Sequence, residues 1–195
     1  RHYTDNDELI VQSWTEIADS YSAPHRHYHT LTHLAHLYEE LEAVKPNIQH
    51  WDSLLFSLFY HDVIYDPSRH DNEEASALLA VKRLAALEIP AEITVRCSAQ
   101  ILATKKHEAG ADTDTNLLTD ADLAILGQSF AAYEVYCQQI RKEYQIYPDP
   151  MYNFGRRKVL LHFLERERIF KTDWFFNKYE HQARENLRLE LQLYS

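Results

Sequence analysis

Apolar residues recur at a period of about 3.6 along nearly the whole chain, and the two-residue alternation of half-buried strands is almost absent. Only 3 Gly and 6 Pro interrupt the pattern. A chain built this way is expected to be all-α. The periodicity predicts helices over about 6–20, 30–44, 51–62, 71–88, 91–105, 120–127, 129–145, 152–170 and 173–193. Pro46, Pro90, Pro148 and Pro150 fall in the gaps. The longest irregular stretches are VIYDPSRHDN (63–72) and KHEAGADTDTN (106–116). On a helical scaffold, polar loops of this kind are where sites are built. The last helix is charged on one side, which reads as a solvated outer face.

At 195 residues, with 45% apolar residues, the chain is expected to form one domain, residues 1–195, with a substantial core. Its formal charge of −10 argues against a nucleic-acid partner, which calls for a basic face. An acidic protein that handles phosphate must supply positive charge locally, from a metal or from a few placed Arg and Lys. Cys97 and Cys137 fit neither a disulfide framework nor a zinc knuckle and read as buried thiols. No apolar run is long enough to span a bilayer, and the N-terminus is too polar for a secretory signal. The expected location is therefore cytoplasmic, with no membrane partner.

Three places break the helical pattern with polar groups. In TLTHLAHLYEELEAV, Leu31, Leu34, Leu37, Tyr38 and Leu41 share one face, and His33 falls at its edge beside Leu37. His36 lies further out and is expected in solvent. His29 sits one turn before His33. An isolated boundary histidine would need no function beyond one hydrogen bond. The second place is WDSLLFSLFYHDVIYD, apolar nearly all round from Leu54 to Tyr60 and ending in His61-Asp62. A charged Asp after such a run is costly to bury without a cation, and the negative end of the helix dipole favours one there. Adjacent helical residues point about 100° apart, so both can bind one ion only off the helix end or if one side chain swings back. The third place is LLTDADLAILG (117–127), where Asp120 and Asp122 interrupt an apolar stretch. Thr119 or Asp120 could cap a helix here, and capping accounts for one of the two carboxylates but not both.

The order H…HD…D on helices resembles the HD superfamily of metal-dependent phosphohydrolases. The flanking segments strengthen the likeness: HRHYHTLTHL, LFYHDVIYD, NEEASA, ILATKKH, LLTDADLAILG, YNFGRRKVLLHFLERERIF and EHQARENLRLEL. In order and across nearly the whole chain, they are similar to a subgroup of predicted metal-dependent HD-superfamily phosphohydrolases. The resemblance implies an HD-domain-like helical bundle with additional C-terminal helices. It also implies that His33, His61, Asp62 and Asp122 hold one divalent ion, with Asp120 in a supporting or capping role. Mixed N/O ligation suits Mn²⁺, Fe²⁺, Co²⁺, Ni²⁺, Zn²⁺ or Mg²⁺. His107 is the candidate for a second metal.

The implied chemistry is hydrolysis of a phosphoester or phosphoanhydride in a small molecule, a nucleotide being the expected substrate. Asp62 or Glu73 is then the group that takes the proton of the attacking water, and His29 contacts phosphate or protonates the leaving group. Lys105, Lys106, Arg69, Arg26 and Arg156 are the candidate cations for phosphate. Arg156 follows Gly155, which would let a phosphate approach the backbone. Two other readings stand beside this one. A metal-containing HD domain could hold a nucleotide as a sensor without turnover. A purely structural role would use the aromatic last helices, such as WFFNKY, as the face of a homodimer.

Overall fold

The predicted periodicity is realised as helix. The computed structural model describes residues 3–194, and among these are nine α-helices and no strand. They are α1 (Asp7–Tyr21), α2 (Leu31–Ala43), α3 (Trp51–Tyr60), α4 (Asn72–Ala86), α5 (Ala91–Ala103), α6 (Thr113–Asp122), α7 (Phe130–Glu143), α8 (Asp149–Glu165) and α9 (Asp173–Gln192). Short 3-10 turns occupy Lys45–Asn47 and Leu123–Gly127. No described helix is long and apolar enough to cross a membrane. The chain divides into two compact units, a first up to Thr119 and a second from Asp120 onward.

In the first unit α3 is the centre and packs against α2, α4 and α5. Its all-round apolar sequence explains this, since Leu54 and Leu58 have no surface left to solvent. Ser53 and Ser57 are as deeply buried. The Ser57 hydroxyl is 2.8 Å from Ser53 O and 2.7 Å from Gln100 Oε1 of α5. On α2 the buried stripe is His33, Leu34, Leu37 and Leu41, while Leu31 and Tyr38, expected on the same face, are exposed. The stripe is narrower than predicted, and His33 is inside it rather than at its edge. Helices α4 and α5 pack on each other. The turn between them has Glu88 at φ 58, with Glu88 N donating to Ala85 O and Ile89 N to Leu84 O. This is a helix stop of the kind usually built on glycine.

In the second unit α9 is the centre, packed against α8 and the 3-10 turn before Gly127. Only part of the charge on α9 faces water. Glu180, Asn186 and Glu190 lie in its buried stripe with Phe175, Tyr179, Ala183 and Leu187. Each polar member has a structural task. Glu180 accepts the backbone N–H of Ile169 and Phe170, and Asn186 donates to Leu126 O and Gln128 O. A Cβ at Gly127 would come within 2.5 Å of Tyr179 Cβ and 2.7 Å of its carbonyl oxygen, so glycine is what lets α9 approach this turn.

Three helix boundaries differ from expectation, one of them the end of α8, which stops at Glu165 rather than near 170. A helix was predicted over about 120–127 after a loop at 106–116. Instead α6 begins at Thr113, and 123–127 is a 3-10 turn. Thr119 and Asp120 are therefore interior to a helix and cap nothing of their own. Asp120 holds the backbone leading into α9: its carboxylate accepts Thr172 N (2.7 Å), Lys171 N (2.9 Å) and Thr172 Oγ1 (2.8 Å). The Lys171 ammonium lies 2.9 Å from the same carboxylate. Asp114, in the segment read as loop, does the same for α3, accepting Gln49 N (2.9 Å) and His50 N (2.7 Å). Helix α8 starts at Asp149, so Pro150 lies in its first turn instead of ending it, as a missing N–H costs nothing there.

Candidate metal centre

His33 lies in the first turn of α2, fixed there by the leucine stripe beside it. His61 is the residue that ends α3, its N–H still bonded to Ser57 O at 2.9 Å. Asp62 follows just beyond the helix. The pair thus meets the condition set by helical geometry, with both side chains working off the helix end rather than along its side.

These three residues converge. His33 Nε2 is 3.3 Å from His61 Nε2, and His61 Nε2 is 3.2 Å from Asp62 Oδ2. One ligand-type atom from each lies within 4.8 Å of the others. His33 and His61 are buried, and the Asp62 side chain keeps 17% of its surface. His61 Nδ1 is 2.9 Å from Leu58 O. A carbonyl oxygen only accepts, so Nδ1 carries a proton, and the side of the ring turned toward the other two groups is Nε2, which ligates through its lone pair when it is unprotonated. Fixing a ring by its far nitrogen is how metal-binding imidazoles are commonly oriented. Two imidazole nitrogens bound to one ion at about 2.0–2.1 Å lie about 3–3.4 Å apart. The observed separation and the donor set therefore suit a divalent ion.

The remaining candidates fall in different places. His29 Nε2 is 3.8 Å from Asp62 Oδ2, and its ring lies on Tyr65 with centroids 4.2 Å apart. Asp122, the last residue of α6, belongs to the second unit. Of the four residues implied as ligands, the first unit brings three together. Glu73 and Glu74 open α4, where the Lys105 ammonium is 2.6 Å from Glu74, 3.7 Å from Glu73 and 2.5 Å from His70 O. Lys105 is thus engaged by that turn. Lys106 is exposed at the end of α5. His107 closes α5 in a left-handed conformation (φ 51), its N–H on Ala103 O, and is not one of the three clustered residues. Arg69 pairs with Asp71 on the surface.

Two phosphate candidates are buried and bonded within the protein. The Arg156 side chain is 7% exposed and bound to Glu190 through both Nε (2.7 Å) and Nη2 (2.9 Å). The Tyr133 hydroxyl donates to the same carboxylate. A guanidinium held this way is a structural group. Gly155 is exposed inside α8, and a Cβ there would meet nothing within 4 Å, so no close approach depends on it. Arg26 is buried as well, and its two terminal nitrogens donate to backbone carbonyls: Asp62 O at 2.7 Å, Val63 O at 2.9 Å and His29 O at 3.3 Å. Sequence reasoning missed these contacts and that of Tyr21, whose hydroxyl accepts Asp62 N–H at 3.1 Å. No local pattern announces a side chain that binds a backbone 36 or 41 residues away.

No protein-family model matches the chain, and neither curated proteins nor solved structures yield a match.

Proposed function

We propose that the chain is a metal-dependent phosphohydrolase of the HD type, acting on a phosphoester or phosphoanhydride in a small molecule, a nucleotide in the first instance. The observation that carries this reading is the convergence of His33 Nε2, His61 Nε2 and Asp62 Oδ2 within 4.8 Å. These residues would hold one divalent ion. Bound there, it supplies a Lewis acid that acidifies water and polarises a phosphoryl oxygen. Leu58 O keeps the His61 ring in the tautomer that ligation requires. The partly exposed Asp62 carboxylate faces both His61 and His29. His29, whose ring lies against that of Tyr65, would donate a proton to a leaving oxygen.

The test is elemental analysis of protein purified without chelator. It is paired with turnover of a panel of phosphoesters and nucleotides in Mn²⁺, Co²⁺, Ni²⁺, Zn²⁺, Fe²⁺ and Mg²⁺. We expect a bound transition ion, turnover that chelation removes and metal restores, and loss of both in His61→Ala and Asp62→Ala with helical content kept. Turnover indifferent to chelator, or unchanged in both variants, sinks the proposal. Stoichiometric nucleotide binding by the metal-replete protein without turnover replaces it with a sensor.

A further inference from the structure

Helix α3 ends at Tyr60, and the carbonyls that follow its last turn have no N–H one turn on to receive. The same end of the helix concentrates negative potential. The chain meets both demands with Arg26. Its Nη1 donates to Asp62 O (2.7 Å) and His29 O (3.3 Å), and its Nη2 donates to Val63 O (2.9 Å). The guanidinium sits against two rings, with its carbon 4.8 Å from the Tyr21 centroid and 5.5 Å from that of Tyr65. Tyr21 in turn accepts Asp62 N–H. Both backbone polar groups of Asp62 are thus held by residues of one stretch, 21–26, and that stretch leads through His29 into the helix that carries His33. One guanidinium nitrogen bonds a carbonyl on each side of the cluster.

We infer that Arg26, seconded by Tyr21, is a positioning residue that staples the His29–His33 segment to the His61–Asp62 turn and so sets where the Asp62 carboxylate points. It touches neither substrate nor ion. The inference rests on the reading of the cluster as a metal centre. It replaces the expectation that Arg26 binds phosphate, because a guanidinium turned onto three carbonyls and only 7% exposed is already committed. It also refines the argument from the helix dipole. The cation favoured at the end of α3 is supplied in part by the chain itself.

Two variants separate the possibilities. Arg26→Lys keeps the charge, so electrostatic attraction to the helix end and repulsion of a bound cation are retained. It loses the planar fork that spans two successive carbonyls. Tyr21→Phe keeps the ring and removes the hydroxyl that accepts Asp62 N–H. Mn²⁺ alone is titrated calorimetrically into the 195-residue chain, with urea melts of the metal-free protein and ¹⁵N–¹H spectra of its imidazoles alongside. We expect Arg26→Lys to weaken Mn²⁺ binding by about 10–100-fold and Tyr21→Phe by roughly tenfold or less, in folded proteins whose His61 and His29 signals are displaced. Unchanged Mn²⁺ affinity in both variants overturns the inference, whether the variants lose stability alone or show only a raised KM. If the wild type takes up no Mn²⁺, the metal reading falls on its own, and the staple is judged by the spectra: undisturbed imidazole signals in both variants overturn it, and displaced ones support it. Should Arg26→Lys fail to fold, Tyr21→Phe decides by the same readings.

Discussion

Each unit buries a group of ionisable side chains, and the two groups are built on opposite plans. In the second unit Arg156, Glu190 and Tyr133 place donors against acceptors: a guanidinium fork on a carboxylate, with a phenol closing the remaining side. Burial alone would raise the Glu190 carboxyl, but the hydrogen bonds and charge of Arg156 outweigh it and hold its pKa below the usual carboxylate range. In the first unit His33, His61 and Asp62 turn ligand-type atoms toward a common point, and Leu58 O fixes the proton of His61 on the far side of the ring. The first plan completes itself, and the second is suited to receive something. Burial of a polar group therefore carries no functional meaning until the polarity of the atoms facing it has been read.

The difference can be broken most sharply at Asp62. Asp62→Asn keeps shape and removes one ligating charge. We expect metal affinity to fall by more than about a hundredfold, beyond what loss of an outer partner costs, with little change in thermal stability. Arg156→Met is the reciprocal change. It leaves Glu190 buried without its cation and should cost about 3–5 kcal/mol in urea unfolding, with metal content intact. A fall in metal content here would erase the distinction between the two groups.

The same ion pair has a pH signature. Because the folded pKa of Glu190 is depressed, its contribution is fully present above the unfolded value of 4.5 and is lost as pH falls toward the folded one. The stability gap between wild type and Arg156→Met should therefore narrow as melts move from neutral pH to about pH 3. A gap constant with pH would mean that Glu190 is not the partner that matters. Smaller effects test the packing of the second unit. Gly127→Ala forces a Cβ against Tyr179 and should cost about 1–3 kcal/mol. Gly155→Ala meets open space inside α8 and should gain roughly 0.5–1 kcal/mol, both read from thermal melts.

The helical class was legible because periodicity is a local property; the same phase put His33 only at the edge of the leucine face, and it was the resemblance that made it a ligand candidate. The His61-Asp62 pair was legible because it ends an apolar run. What the sequence hid was every task done across distance. Asp114 sits in a polar stretch that reads as loop, yet it binds the start of α3 some 65 residues away. Asp120 looks like a cap for its own helix and serves α9 instead. Arg156 and Arg26 look like phosphate groups because a charged side chain in a sequence gives no sign of whether its partner is a ligand, a carboxylate or a carbonyl. In each case the residue type was noticed or noticeable, and the missing information was the fold that supplies its partner.

Asp114 and Asp120 ride on one short helix, six residues apart, and each holds two successive backbone N–H groups at the entrance to the central helix of its own unit. A carboxylate offers only acceptors, so an Asn at either position would turn an NH₂ group toward amides that also donate. The DTNLLTD segment has no exposed position: Thr115 and Asn116 are half-buried and bonded to Asp112 and Gly110, and the other five residues are buried. Asp114→Asn and Asp120→Asn alleles should therefore be depleted from a selection for folded protein more strongly than Thr115→Ser, which keeps its hydroxyl.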